Sequence, residues 1–327
     1  MSTYRTGYRQ IVYTLVSVIL LGSPYDSTAL TCSISNVSTL NFGTIMPLTN
    51  NTATTSLTFN YSCTKGITDV LAGATLCLNI GASSISGQVI SRQMSALGLG
   101  SPLSYQIYQN ASNSLVWGSQ HVSGSTPVMI SISLSQVLTP ITGSVTLYGQ
   151  LSVNQSSIIP GSYLDTYTTL TASSTINLGV FSTPTTCGAV IGPTFPFTVM
   201  ATVDKQCTVS SNGDINLGSL KSSATNINGN SAISVTCTNT TPFTIGLSPS
   251  NNNSQGAGVL KSTTSTDQIP YQLSSNPSGS VWGNDLLNVI TDTGTGIAKS
   301  YTVYVTVPSA NFTPGSYKDT VTVNVTY

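Results

Sequence analysis

The side chains able to do chemistry are few: one histidine, His121, nine aspartates, no glutamate, nine Lys or Arg, and six cysteines in 327 residues. A lone histidine cannot make a metal site. A carboxylate pair for acid–base work would need two of the scattered aspartates. Those aspartates sit mostly beside turns or inside repeated motifs, where a structural role accounts for them. A serine nucleophile would need His121, an aspartate and a local context that the many serines lack. No phosphate-cradling glycine motif and no metal-ligand cysteine spacing occurs. The inventory reads as that of a non-enzyme with no cofactor. Nucleic acid is also excluded as a partner, because phosphate binding needs clustered Lys and Arg and the few here are spread along a neutral chain. What remains is oxidation of thiols: an even set of cysteines in an exported chain reads as three disulfides.

The first residues supply the export signal. Arg5 and Arg9 form a positive start, Ile11 to Leu21 an apolar run, and Ser27-Thr28-Ala29 a small-residue cleavage site. The run is shorter than the roughly 20 residues a membrane-spanning helix needs, so residues 1–29 read as a cleaved signal peptide. Losing Arg5, Arg9 and Asp26 leaves a mature chain of charge near −1.

Beyond that segment the chain contains itself twice. Cys32, Leu40-Asn41-Phe42-Gly43-Thr44-Ile45 and Cys63 align with Cys207, Ile215-Asn216-Leu217-Gly218-Ser219-Leu220 and Cys237. Leu103-Ser104-Tyr105-Gln106 and Val116-Trp117-Gly118 align with Ile269-Pro270-Tyr271-Gln272 and Val281-Trp282-Gly283. Pro160-Gly161-Ser162-Tyr163-Leu164-Asp165-Thr166 aligns with Pro314-Gly315-Ser316-Tyr317-Lys318-Asp319-Thr320. Shared order of this kind means two copies of one fold. The alignment pairs Cys32 with Cys63 and Cys207 with Cys237, leaving Cys77 and Cys187 as a pair particular to the first copy.

Within each copy, short alternating runs are separated by Gly, Pro, Asn and Ser, and no convincing helix occurs. The chain reads as all-β: two immunoglobulin-like antiparallel sandwiches, with a barrel as the alternative that spacing alone does not separate. The expected domains are 30–194 and 195–327. The second ends on a strand, Asp319 to Tyr327, with Val321, Val323, Val325 and Tyr327 on one face. No partner strand follows in the sequence, so this edge is either an ordinary one or an acceptor for a strand from another chain. Trp117 and Trp282, present in both copies, are expected in the cores, and Tyr163 and Tyr317 at corners. Ile158-Ile159-Pro160 has a counterpart in Phe312-Thr313-Pro314 and is read as structural.

The ordered motifs, Cys, Asn-Phe-Gly or Asn-Leu-Gly, Cys, Tyr-Gln, Trp-Gly, Pro-Gly-Ser-Tyr-x-Asp-Thr, and the closing Thr320-Val321-Thr322-Val323, resemble those of the spore coat protein U domain family. That family includes subunits of archaic, Csu-type chaperone–usher pili. The resemblance covers almost the whole mature chain. It implies that the second domain is an incomplete pilin domain, missing its last strand, held by a periplasmic chaperone, passed through an outer-membrane usher and completed by the donor strand of an adjacent subunit. Val321, Val323, Val325 and Tyr327 would form the edge that receives it. The mature start offers only Leu30 and Thr31 before Cys32, too little for a donor. An alternating segment occurs inside the chain instead, with Phe197, Val199, Ala201 and Val203 on one face. It is the candidate to complete the first domain in cis, or simply the first strand of the second. An acceptor without a free donor resembles a tip adhesin, exported through the periplasm to the cell surface and serving attachment and biofilm formation. A coat-like protein with two self-complete domains and a carbohydrate-binding lectin are the alternatives.

The first copy is longer in three places: Gly66 to Gly73, Ser135 to Gly143, and Ile176 to Pro196. They carry Ile67, Val70 and Leu71; Val137, Leu138 and Ile141; and Val180, Phe181, Val190 and Ile191. Exposed together, these would form an apolar patch for an abiotic or host surface; the other reading packs them in a larger core. The Cys77–Cys187 bridge would stiffen the long loops, contributing about 4–5 kcal/mol in the chain-entropy account.

Overall fold

Alternation with a period of two sets the strands. Phe197–Val203 is buried at every second residue, whereas Gly73–Ile80 is buried on both faces. The computed structural model describes residues 30–49, 52–96, 100–152, 155–277 and 279–327. The expected signal segment lies outside the described residues.

The first domain contains β1 (Leu30–Ser35), β2 (Leu40–Ile45), β3 (Thr54–Lys65), β4 (Gly73–Ile80), β5 (Arg92–Ala96), β6 (Leu103–Tyr108), β7 (Val128–Ser133), β8 (Ile141–Leu151), β9 (Gly161–Tyr167), β10 (Ala172–Gly179), β11 (Val190–Thr194) and β12 (Phe197–Val203). They form an eight-stranded sheet, β1-β3-β8-β6-β5-β9-β12-β2, and a four-stranded sheet, β11-β10-β4-β7. The second domain contains β13 (Cys207–Ser211), β14 (Thr225–Cys237), β15 (Pro242–Ser248), β16 (Ala257–Ser262), β17 (Gln268–Ser274), β18 (Ile290–Thr293), β19 (Lys299–Ser309), β20 (Tyr317–Lys318) and β21 (Thr322–Thr326). Its sheets run β13-β14-β19-β17-β16-β20 and β18-β15-β21. Each domain is a β-sandwich around its own apolar core.

The repeated motifs occupy repeated places. Cys32–Cys63 and Cys207–Cys237 join directly opposed residues of β1/β3 and β13/β14. Trp117 and Trp282 are wholly buried, and their indole N–H groups donate to Leu78 O at 2.8 Å and Ile245 O at 2.9 Å. The corner tyrosines donate to a carbonyl four residues back, Tyr163 to Ile159 O and Tyr317 to Thr313 O. Ile158 is buried, and its counterpart Phe312 packs half-buried on the second core. Asn41 and Asn216 each accept from the amide of a left-handed glycine two residues on, Gly43 (φ 70°) and Gly218 (φ 74°).

In the first domain the chain passes from β9 in the large sheet to β10 in the small one through a turn at residues 168–171. β11 and β12 return antiparallel beside β9 and β10, from Ile176 opposite Val190 to Gly161 opposite Val203. β20 and β21 make the same crossing, pairing with β16 and β15. The continuous strand expected from Asp319 is therefore interrupted at 319–321, where the chain changes sheets and Asp319 accepts a hydrogen bond from the Tyr271 hydroxyl at 2.6 Å. Among the described residues nothing returns along β20–β21.

The segment read either as completing the first domain in cis or as the first strand of the second packs in the first. Phe197, Val199, Ala201 and Val203 all lie in the first core, and β12 pairs with β9 and, in parallel, with β2. Burying a valine or phenylalanine side chain is worth roughly 1.5–3 kcal/mol. β12 therefore contributes on the order of a domain's whole net stability. By packing, the change of core falls at Asp204–Gln206 rather than between residues 194 and 195.

Candidate apolar pole and unpaired edge

Register brings the three long segments of the first copy to one pole. Gly73 at the start of β4 lies opposite Gly179 at the end of β10 and Ser133 at the end of β7. Residues 66–72, 134–140 and 180–189 therefore leave the small sheet side by side. Ala72 N donates to Gly179 O at 2.9 Å, Leu134 N to Ala72 O at 3.0 Å and Leu138 N to Lys65 O at 3.0 Å. The Lys65 ammonium ties the first two segments, donating to Leu71 O at 2.5 Å and Leu134 O at 3.3 Å. The third folds back over the strand ends, which only glycine permits: a Cβ on Gly73 would collide with the backbone of Thr183, and one on Gly179 with the Ser182 carbonyl. Thr75 donates to Pro184 O, Gln120 to Gly188 O, and the Cys77–Cys187 bridge fastens the segment to β4.

Against this frame the apolar side chains point outward. Phe181 is 97% exposed, Val70 74%, Ile67 70% and Leu138 60%, with Val180 and Val137 exposed beside them. Leu138 holds φ at 60°, a left-handed conformation that costs a branched side chain about 1–2 kcal/mol. Val190 and Ile191 are exposed too, but they belong to the edge strand β11, so the loop of the third insertion is its middle, residues 180–189. Two of the expected residues face inward. Leu71 is buried, its own carbonyl held by Lys65 and the next residue, Ala72, bonded to Gly179 and Leu134, and Ile141 opens β8 opposite Cys63 and packs on the core.

The insertion Thr168–Thr171 escaped the sequence reading. It carries Leu170, 90% exposed, at the sheet crossing. Its signal was present, since Tyr167 aligns with Val321 and Ala172 with the strand that follows at once in the second copy. Leu286 and Leu287, each 94% exposed in the turn after Trp282, were also missed; nothing in their local pattern marks them.

The second region is the unpaired side of β20–β21. Leu40, Phe42, Tyr163 and Tyr167 are buried beneath and beside β12. Their counterparts Ile215, Leu217, Tyr317 and Val321 are only half-buried on the second core, as are Val323 and Val325. Tyr327 lies beyond the last paired residue, half exposed beside Pro242, Phe243 and Thr291–Thr293.

The buried titratable groups of the first domain bond to one another and to the backbone. The Tyr105 hydroxyl donates to Asp165 at 2.5 Å and meets the Tyr167 hydroxyl at 2.9 Å. Burial pushes Tyr105 far up and Tyr167 to about 12, the Arg92 guanidinium partly offsetting the latter. Arg92 is wholly buried and donates to Gln106, Gly81 O and Trp117 O. The sequence reading passed over it, because a single arginine in an alternating strand looks like a surface residue. His121 is exposed on the turn after Trp117-Gly118. Among the described residues no group of three His, Cys, Asp or Glu could hold a metal ion.

Among solved structures, the chain is similar to the CsuC–CsuE chaperone–tip adhesion subunit pre-assembly complex from archaic chaperone–usher Csu pili of Acinetobacter baumannii. The TM-score is 0.53 at 19% identity, covering 91% of this chain and 100% of that one, a likeness of fold. The CupB6 tip adhesin of Pseudomonas aeruginosa aligns over 91% of this chain and 94% of its own, at 12% identity and a TM-score of 0.37. No curated protein matches the chain in sequence. The Spore Coat Protein U domain matches twice, over residues 25–170 and 193–324, and the chain belongs to that family.

Proposed function

We propose that this protein is a pilus tip adhesin, anchored to its fibre through the second domain and gripping surfaces through the apolar pole of the first. The observation that carries the reading is the contrast between the two copies: β9–β10 is paired with β11–β12 from Gly161 to Ile176, while β20–β21 has no such partner among the described residues. Backbone groups along an unpaired strand, with half-buried Ile215, Leu217, Tyr317 and Val321 beneath, suit an added strand whose alternate side chains enter the core. That strand would come from an adjacent subunit, after a periplasmic chaperone has held the edge and an outer-membrane usher has exchanged the two. The exposed side chains at the pole, held on a cross-linked frame, lose little conformational entropy on contact with an apolar surface. Such contact would serve attachment and biofilm formation, and it needs no catalytic group. The family and the fold shared with the Csu complex support this assignment.

The test is co-purification from periplasm with and without the chaperone, followed by a peptide copying a subunit's donor segment. Instability alone, one-to-one capture by the chaperone and release in folded form by the peptide are expected. A stable monomer that ignores both would leave a self-complete coat-like protein.

A further inference from the structure

The junction between the two domains has its own chemistry, centred on the residue before Cys207. The Gln206 side-chain carbonyl accepts from Leu48 N at 3.2 Å, and its backbone exchanges hydrogen bonds with Thr238. Asp204 N donates to Ile45 O at 3.1 Å, carrying the β12–β2 ladder to the boundary. Asn239 Nδ2 donates to Ser157 O at 2.8 Å. Gly296, at φ 75°, lies so near the Ser156 carbonyl that a Cβ there would collide with it. One end of the second domain, the turns around 238–241 and 294–296, thus sits on the base of the first, formed by residues 45–48 and 156–157.

The second domain has the same base, unoccupied by any described residue. Met46 O accepts from Thr49 N, and Lys221 O accepts from Ala224 N, so the turn 45–48 is repeated as Leu220–Ser223. Counting back from the shared Pro-Gly-Ser-Tyr motif, Asn311 takes the place of Ser157. Ser223 N, the counterpart of Leu48 N, has no acceptor among the described residues, and Leu220 is 44% exposed.

Resting on the donor-strand reading above, we infer that the Leu220–Ser223 turn and Asn311 dock the body of a further domain of this same fold, in the arrangement the two domains of this chain already share. An interface joining the top of one copy to the base of another is head-to-tail, and repeated without closure it generates a filament. The partner would present an amide carbonyl directly before its first cysteine, as Gln206 does. The incoming strand would run antiparallel to β20–β21 and in parallel beside Ile215–Leu220, by analogy with the β12 pairings.

The experiment extends the full chain by its own sequence, placing a second copy of residues 180–327 after Tyr327, and reads amide exchange against the unextended chain with a peptide of residues 190–205, which ends before Gln206. Exchange at Ser223 is expected to slow at least tenfold in the extended chain and not with the peptide, while β20–β21 is protected in both. Gln206→Ala in the added copy should abolish the protection at Ser223 and leave that of β20–β21. Protection of β20–β21 without any change at Ser223 overturns the docking surface and spares the donor-strand reading. No protection of β20–β21 in either sample overturns both.

Discussion

Leu138 holds a left-handed backbone while exposing an apolar side chain, an arrangement that lowers stability and makes sense where the exposed residue is used. Leu138→Gly should therefore raise the stability of the first domain by up to about 1 kcal/mol and reduce adhesion to hydrophobic plastic. Val180→Ser with Phe181→Ser should reduce adhesion further with stability unchanged to within about 0.5 kcal/mol, because Phe181 is 97% exposed. Adhesion that survives both changes removes the pole as the gripping surface. Tyr105 and Tyr167 lead to a pH prediction. Their folded pKa values lie above the value of about 10 for an unfolded tyrosine, so the neutral phenols stabilise the first domain. That contribution is complete below pH 10 and is lost as pH rises toward about 12 and beyond. The urea midpoint of the first domain should fall between pH 9 and pH 11.5, and an unchanged midpoint would mean the buried pair is not coupled to folding.

Strand β12 shows at the level of an element where sequence reading succeeds and where it stops. Alternation of Phe197, Val199, Ala201 and Val203 marked a strand with one apolar face, because the period is a local property. Which core takes that face is decided by pairing with β9 and β2, residues 30 and more positions away, and no local pattern records it. The family match starts its second copy at residue 193, so by descent the strand belongs with the second domain and by packing with the first. Phe197→Ala tests the packing: Phe197 is buried and stacks on Tyr167 at 4.7 Å, so about 3–5 kcal/mol should be lost from the first domain's unfolding transition and none from the second's. The paired cysteines, the two tryptophans and the corner tyrosines were legible because two copies vouch for each other. Leu71, Ile141 and Arg92 were not, since each takes its burial from neighbours far along the chain.

Taken as a whole, the molecule has its apolar pole and its unpaired edge on different domains, joined by β9–β10 and β11–β12. Load applied at the pole must leave through Val203 and Gln206, so it crosses the ladders of β12 with β9 and β2, where the hydrogen bonds are stretched together. The segment 180–189 would be the weak member of that path, being the longest link between strands at the pole. The Cys77–Cys187 bridge, with its sequence separation of 110, fastens it to the middle of the small sheet. Replacing both cysteines by serine should lower the stability of the first domain by about 4–5 kcal/mol in the chain-entropy account, seen as a lower urea midpoint for that domain with the second domain's transition unmoved. Adhesion should fall at urea concentrations where the first domain of the double variant is still folded by tryptophan fluorescence of Trp117, because the frame of the pole loosens before the core opens. If adhesion and folding are instead lost together, the bridge supports the core alone and the pole owes its rigidity to the Lys65 and Gly179 hydrogen bonds.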